Sequence, residues 1–231
     1  MLNEPIHLVV FDMAGTTVDD RHLGSSIVLE AISQAFTKKG LEVSFDLINK
    51  HRGKQKSQAI EDILNELKHP PHIRTKALAK DIYEEFLSFL IDQVHSLKEI
   101  EGTTSTFKFL KNRKVNIAVS SGFPTEIVDM IARHLKWKEF SLVDSVESVD
   151  VVGVGRPDPQ MIYYLMERFN VDNPKNVIKV GDTVADIMEG KNAGVWTVAV
   201  LSGTQERNTL VEACPDFIIN SIKDLPGLFG E

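Results

Sequence analysis

The sequence predicts an α/β protein: a doubly wound parallel sheet with an inserted α-helical cap. Two observations predict this class. In the second half of the chain, short apolar runs alternate with amphipathic stretches, which is the pattern of a parallel sheet with helices on its faces. A similar apolar run lies near the start, at residues 6–11, and a long stretch with helical periodicity and no convincing strand follows it.

The individual elements follow from these patterns in chain order. Residues 6–11 predict the first strand. Apolar positions then recur at helical spacing in three stretches, which predict the helices of the insert: 27–36, 60–67 and 82–90. Helices are predicted to begin near Thr125 and Val184, and the remaining strands are predicted at 115–120, 177–180 and 196–201.

These elements predict the domains and the place of a site. We assign residues 1–17 and 98–231 to the core domain and residues 18–97 to the cap domain. Ligands of open α/β sheets bind beyond the carboxyl ends of the strands. Asp12, Ser120 and Asp182 each follow an apolar strand candidate, so we expect all three at one edge of the sheet.

The composition excludes several classes of protein. The chain has 231 residues, 42% of them hydrophobic, and a formal net charge of −7. There is no basic stripe with interleaved aromatic residues, which argues against a nucleic-acid partner. No apolar run approaches the roughly 18 residues that span a bilayer, so we expect no membrane association and a cytoplasmic location. The lone Cys214 has no partner for an internal disulfide and is interpreted as ordinary packing.

The first motif is a carboxylate at the end of the first apolar run. Asp12 is followed by Gly15, Thr16 and Thr17, which predicts a nucleophile at a turn large enough for a phosphate. Ala14 stands where a second acid would be placed to move a proton, so the leaving group must need little protonation from this position. The alternative is that Asp12 merely ends a strand or caps a helix.

A second group of residues offers donors to an anion. Ser120, Ser121 and Gly122 follow a predicted strand and precede a helix start, so hydroxyl groups, backbone N–H groups and a helix dipole converge there. Arg156 lies in a loop rich in glycine and proline and supplies one permanent cation. A simple turn and a solvated arginine are the alternative interpretations.

Two more carboxylates suggest a metal. Asp182 and Asp186 lie four residues apart at a predicted helix start, which places them on one face. Mg²⁺ prefers oxygen ligands, so Asp12 and Asp182 form a suitable set, with Asp186 as a ligand or as an outer partner. The alternative is that these acids simply complement the helix dipole, as acids in a first helical turn often do.

These four segments, in this order, resemble the motifs of the haloacid dehalogenase superfamily. The resemblance implies a Rossmann-like core with a cap inserted after the first motif. It implies that Asp12 attacks phosphorus and forms an aspartyl-phosphate, and that Thr16, Ser120 and Arg156 bind phosphoryl oxygens. It also implies Mg²⁺ held by Asp12, Asp182 and the backbone carbonyl of Ala14.

Two departures from most phosphatases of the superfamily point to its phosphonatase branch. Ala14 replaces an aspartate and Arg156 replaces a lysine. In that branch a cap lysine forms an imine with an aldehyde, and the carbon then leaves phosphorus as a neutral enamine. The spacing of glycine and lysine in the branch maps onto Gly53 and Lys56, with Lys54 as the competing candidate. Neighbouring cations lower a lysine pKa, which favours the neutral amine that an imine requires.

The cap also departs from the branch, so the resemblance does not identify the substrate. Ala59 stands where the branch has a histidine, and His22 lies near the place of a cysteine. His22 is therefore a candidate for contact with the substrate, although a surface role in the linker is the alternative.

The sequence thus predicts a Mg²⁺-dependent hydrolase that acts on a small phosphorylated or phosphonate metabolite. The favoured reaction is cleavage of a carbon–phosphorus bond in a 2-oxoalkyl phosphonate. The alternatives are a phosphomonoester phosphatase or sugar-phosphate mutase of the same superfamily, and a non-catalytic phosphate-binding protein. Resemblance to phosphonatase also raises the option of a homodimer.

Overall fold

The computed structural model describes residues 4–22, 24–67 and 73–230. Within them the strands are, in chain order, β1 (Leu8–Asp12), β2 (Val18–Asp19), β3 (Arg21–His22), β4 (Ser25–Ser26), β5 (Lys98–Glu99), β6 (Asn116–Ser121), β7 (Ser145–Ser148), β8 (Val177–Gly181), β9 (Trp196–Val200) and β10 (Phe217–Ile219). The helices are α1 (Ile27–Thr37), α2 (Phe45–Lys50), α3 (Lys56–Glu66), α4 (Ile73–Gln93), α5 (Thr103–Asn112), α6 (Thr125–His134), α7 (Gln160–Arg168), α8 (Val184–Ala193) and α9 (Arg207–Glu212).

A six-stranded parallel sheet forms the centre of the molecule. Its strand order is β10-β9-β8-β1-β6-β7, and every pairing is parallel. Strand β1 is buried along its whole length. Val9 and Phe11 pack on the side of α5 and α6, whereas Leu8 and Val10 pack on the side of α7. Helices therefore cover both faces, which confirms the predicted doubly wound α/β fold.

The sequence missed the two edge strands of this sheet. Strand β7 consists of Ser145, Val146, Glu147 and Ser148, and β10 has only three residues. An edge strand has one neighbour and needs no continuous apolar run. Such short strands leave no periodic pattern from which they can be predicted.

Helices α1, α3 and α4 form the main part of the insert. Helix α4 packs against both α1 and α3. Their apolar stripes share one buried core, which includes Phe36, Ile60, Ile63, Ile82 and Phe86. Among the described residues, no helix is both long and apolar enough to cross a bilayer.

The expectation that the insert contains no strand is wrong at its entrance. Strand β2 pairs with β5 in an antiparallel ladder, and β3 pairs with β4. Each strand has two residues, which is too short for alternation to be visible. Because β2 and β5 bring the entry and exit of the insert side by side, we keep the proposal that the cap comprises residues 18–97.

Helix α2 is a second element that the sequence did not predict. It has six residues, Ser44 caps its N-terminus, and Ile48 is its buried residue. A single buried side chain leaves no periodic stripe. The helix nevertheless matters for the site, since the chain passes from its C-terminus directly into the loop that carries the predicted lysines.

Candidate active site

Three neighbouring strands bring the predicted core residues to one edge of the sheet. Asp12 ends β1 and lies in register with Ser120 of β6. Strand β8 flanks β1 on the other side, and Asp182 follows its last residue. All three residues are buried. The parallel topology thus places a carboxylate, a hydroxyl group and a second carboxylate together.

The carboxylates of this edge form a compact cluster. Asp12, Asp182 and Asp186 each offer one oxygen atom, and these atoms lie within 4.8 Å of one another. Asp182 lies in the turn before α8 rather than on the helix, while Asp186 lies in its first turn. The sequence therefore predicted the cluster but misplaced Asp182 by putting it on the face of a helix.

Asp182 fits the predicted metal. Its Oδ1 accepts a hydrogen bond from the Thr16 hydroxyl at 3.1 Å. Its Oδ2 is buried and has no hydrogen-bond partner among the described residues. Burial raises the pKa of Asp182 to about 8, although the charge of Arg52 opposes this shift. An unpartnered carboxylate oxygen in a buried acidic cluster suits a hard cation such as Mg²⁺.

Asp186 is already engaged by other groups. Its Oδ2 accepts a hydrogen bond from the Thr183 hydroxyl at 2.5 Å in a capping box. Its Oδ1 lies 3.1 Å from Arg156 and 3.0 Å from Lys179. Burial acts to raise the pKa of Asp186, but the two cations prevail and lower it. Asp186 Oδ1, like Asp182 Oδ2, has no hydrogen-bond partner among the described residues. The two adjacent cations balance its charge, however, which favours an outer supporting role for Asp186 over direct coordination.

Arg156 is the central cation of the site. It forms a close ion pair with Asp12, and its Nη2 donates to both the carbonyl and the hydroxyl oxygen of Ser120 at 2.9 Å. Its Nε lies 3.1 Å from Glu189. Burial acts to lower the Arg156 pKa, but the surrounding carboxylates outweigh it and raise the pKa above its ordinary value. Arg156 is therefore a permanently charged, fixed donor beside Asp12.

The other predicted phosphate ligands have distinct surroundings. Ser121 and Gly122 line the same cavity as Asp12 and Arg156. Ser121 Oγ accepts a hydrogen bond from the Phe123 amide at 3.2 Å, which leaves the hydroxyl proton for a ligand. The Thr16 hydroxyl donates to Asp182, so its side chain positions a carboxylate of the cluster.

Lys56 reaches the site from the insert as the first residue of α3. It lines the cavity that contains Asp12 and Arg156, and its Nζ donates to the Lys54 carbonyl at 3.1 Å. The Phe123 ring lies 5.0 Å from the same nitrogen. Burial lowers the Lys56 pKa to about 8, Arg52 and Arg156 add to this effect, and Asp12 opposes it.

The two remaining candidates of the lysine loop have different surroundings. Lys54 Nζ lies 2.7 Å from Asp62, and its side chain is partly exposed. Gly53 has a φ of +86°, and a Cβ atom there would lie 2.3 Å from the Thr183 hydroxyl. This position therefore requires glycine for both backbone geometry and space. The side chain of His22, the last candidate, lies outside the described part of the chain.

Comparison with known families decides the identity of this site. A family model described as haloacid dehalogenase-like hydrolase matches residues 6–194. The chain belongs to this family. The matched segment runs from the first sheet strand through the insert to the end of α8, so it contains every predicted site residue. The chain is thus a phosphoryl-transfer hydrolase, as its motifs predicted.

Relatives of this haloacid dehalogenase-like hydrolase include phosphonoacetaldehyde hydrolases. The enzyme of that name from Bacillus cytotoxicus is 29% identical, over 96% of this chain and 94% of its own length. The one from Bacillus cereus is 33% identical, over 87% of this chain and 78% of its own length. The solved structure of a phosphonoacetaldehyde hydrolase-like protein from Oleispira antarctica superposes with a TM-score of 0.83 at 23% identity. The superposition covers 97% of this chain and 91% of that one. The predicted resemblance to phosphonatase is confirmed.

Three charged residues of this hydrolase's site were not predicted from the sequence. Lys179 lies 3.0 Å from both Asp186 and Glu189, and together they support Arg156. The sequence could have indicated Lys179, because this lysine lies inside an apolar strand run and a buried lysine needs carboxylate partners. Arg52 is the third, and nothing in its sequence surroundings indicated that it turns inward.

Proposed function

We propose that this hydrolase cleaves the carbon–phosphorus bond of a small 2-oxoalkyl phosphonate such as phosphonoacetaldehyde. The observation that carries the proposal is the buried amine of Lys56, with its lowered pKa, in the same cavity as Asp12 and Arg156. Relatives that are about 30% identical and bear the name phosphonoacetaldehyde hydrolase support it.

The first step is formation of an imine. The neutral amine of Lys56 attacks the substrate carbonyl, a proton is taken up, and water leaves as the carbon–nitrogen double bond forms. A pKa of about 8 leaves about a tenth of the amine neutral at pH 7, which is roughly 300 times the fraction of a lysine with an ordinary pKa. The protonated imine then serves as an electron sink.

The second step transfers the phosphoryl group to Asp12. A carboxylate oxygen attacks phosphorus, the carbon–phosphorus bond breaks, and its electron pair moves into the imine to give a neutral enamine. The leaving group needs no proton at that moment, which accounts for Ala14 in place of an acid. The enamine carbon then takes up a proton, and water releases the aldehyde from Lys56. Water also cleaves the aspartyl-phosphate to orthophosphate.

The surrounding groups hold the phosphoryl oxygens while charge develops on them. Arg156 is fixed by Ser120 and Glu189, so it can bind an oxygen without reorganisation. Ser121 and the amides of its loop are further donors. We propose that Asp12, Asp182 and the Ala14 carbonyl hold Mg²⁺, with Asp186 behind them. Mg²⁺ would supply charge neutralisation for the phosphoryl group and for the acidic cluster.

The decisive experiment is reductive trapping. The protein is incubated with phosphonoacetaldehyde, Mg²⁺ and borohydride, and peptides are analysed by mass spectrometry for a reduced adduct on Lys56. We expect the adduct on Lys56 in the wild type, none in Lys56→Arg, and wild-type trapping in Lys54→Arg, since Lys54 is paired with Asp62.

Other results would redirect the assignment. Release of phosphate without an adduct, unchanged in Lys56→Arg, would exclude the imine and favour a phosphomonoester phosphatase or mutase. Binding of substrate with neither an adduct nor phosphate release would favour a non-catalytic phosphate-binding protein.

A further inference from the structure

Arg52 extends from the insert loop into the centre of the acidic cluster, although the proposed reaction assigns it no role. Its side chain is only 4% exposed, and it lines the cavity that contains Asp12 and Lys56. A fully charged group so deeply buried requires compensating partners. These partners show what the guanidinium does.

Two of the contacts of Arg52 are with atoms of the proposed metal site. Its Nη2 donates to the Ala14 carbonyl at 3.1 Å, and its Nε lies 3.7 Å from Asp182 Oδ2. Asp182 Oδ2 has no hydrogen-bond partner among the described residues. The guanidinium thus lies against the two oxygen atoms that are expected to coordinate Mg²⁺.

The other contacts of the guanidinium anchor it to Ser26 and Asp20. Nη1 donates to Ser26 Oγ at 2.9 Å, and Nη2 lies 3.0 Å from Asp20 Oδ2. Asp20 is itself buried and accepts a hydrogen bond from Ser26. These contacts hold the positive charge beside the cluster whenever the loop is docked.

From this arrangement we infer that Arg52 acts as a built-in counter-cation that competes with the divalent metal for Asp182 and the Ala14 carbonyl. The inference rests on the proposed metal site. Two cations in a buried site a few ångströms apart repel strongly. The competition is reciprocal, as any coupling between binding events must be: docking of the loop weakens metal binding, and metal binding weakens docking. A dianionic phosphoryl group relieves the repulsion, so cation, loop and substrate assemble together.

The test measures the affinity for Mg²⁺ alone by isothermal titration calorimetry, without substrate. Arg52→Met removes the charge and retains an unbranched side chain of similar length. We expect it to bind Mg²⁺ about five- to tenfold more tightly than the wild type, as a typical coupling between sites would produce. Lys50→Met is the matched control, because it removes the same charge from an exposed side chain that is paired with Glu66. Its affinity for Mg²⁺ should equal that of the wild type.

Two further variants make every outcome informative. Arg52→Met leaves Asp20 buried without its cation, so the double variant Asp20→Asn/Arg52→Met provides the same measurement if the single variant does not fold. Asp182→Asn separates the inference from the proposed function. If Asp182→Asn lowers the Mg²⁺ affinity of neither the wild type nor Arg52→Met, the metal site itself is wrong. If only Asp182→Asn loses Mg²⁺ while the Arg52 variants match the wild type, the metal site stands and the competition is overturned.

Discussion

Two residues of the site have their pKa values moved towards neutrality by the same physical cause. Burial raises the pKa of Asp182 and lowers that of Lys56, each to about 8, because desolvation disfavours the charged form of either group. The consequence of the shifted pKa depends on the group that each residue is proposed to bind. Asp182 lies in the proposed metal site, where a bound cation would restore its charged form. Lys56 is proposed to react with a substrate carbonyl group, and only the neutral amine takes part in that reaction.

The lowered pKa of Lys56 predicts the pH dependence of imine formation. The neutral fraction of the amine rises as the pH increases through its pKa, so the rate of trapping by phosphonoacetaldehyde and cyanoborohydride should rise with pH. The rise should have its midpoint near pH 8 and level off above it. A rate that still increases towards pH 10.5, the ordinary value for lysine, would contradict the burial of a reactive amine.

At the scale of elements, the active site depends on docking of the insert loop between α2 and α3 onto the core. A Cβ atom on Gly122 would lie 2.5 Å from the Lys54 carbonyl, and one on Gly155 would lie 2.6 Å from the Gln55 side chain. The Lys56 amide donates to the Gly122 carbonyl at 3.3 Å. Glycine on the core side thus permits an approach of backbone to backbone that brings the lysine to the aspartate.

A second contact, outside the site, helps to keep this loop docked on the core. Asn49, at the end of α2, donates to the Thr204 carbonyl at 3.1 Å and accepts from the Thr204 hydroxyl at 2.5 Å. Asn49→Ala removes both hydrogen bonds, each typically worth about 0.5–1.5 kcal/mol. We expect faster hydrogen exchange at the Lys56 amide and several-fold slower trapping of Lys56, with the melting temperature little changed.

Asn65→Ala is the control for this prediction, since Asn65 is an exposed asparagine on α3. It should leave both exchange and trapping at wild-type values. Equal effects of the two substitutions, or none from Asn49→Ala, would show that the contact between α2 and the core does not contribute to docking.

At the scale of the whole molecule, the two steps of the proposed reaction are divided between two parts of the chain. The sheet edge supplies the aspartate, the arginine and the acidic cluster, whereas the insert supplies the lysine. The two parts meet at one cavity. Since different elements hold the two groups, phosphoryl transfer can be removed while imine formation continues.

This division predicts complementary defects. Asp12→Asn removes the nucleophile, and Asn fits the same space, so the protein should fold and still form the imine. Borohydride should then trap a phosphonoethyl adduct on Lys56, with the phosphorus retained, and no phosphate should be released. Lys56→Arg should form no adduct but should still bind Mg²⁺ with wild-type affinity. Phosphate release by Asp12→Asn would show that the nucleophile has been misassigned.

The sequence by itself determined the four central strands of the sheet and the core of the site. Strands buried on both faces require continuous apolar runs, so β1, β6, β8 and β9 were visible, and parallel topology then required Asp12, Ser120 and Asp182 to meet. The resemblance to the phosphonatase branch, through the spacing of Gly53 and Lys56, pointed to Lys56 and left Lys54 as the competing candidate. The edge strands and the two-residue ladders were not predicted, because they bury too few apolar side chains to produce a periodic pattern in the sequence.

Only the tertiary structure decided how the charges are paired. Neither spacing nor composition indicates that Arg52 turns towards Asp182, that Lys54 turns away to Asp62, or that Thr16 donates to a carboxylate. The direction of a side chain in a loop depends on which distant segments pack against it. Its burial, and therefore its pKa, follows from the same packing. The sequence thus determines which groups are available, and the fold determines which of them are buried together.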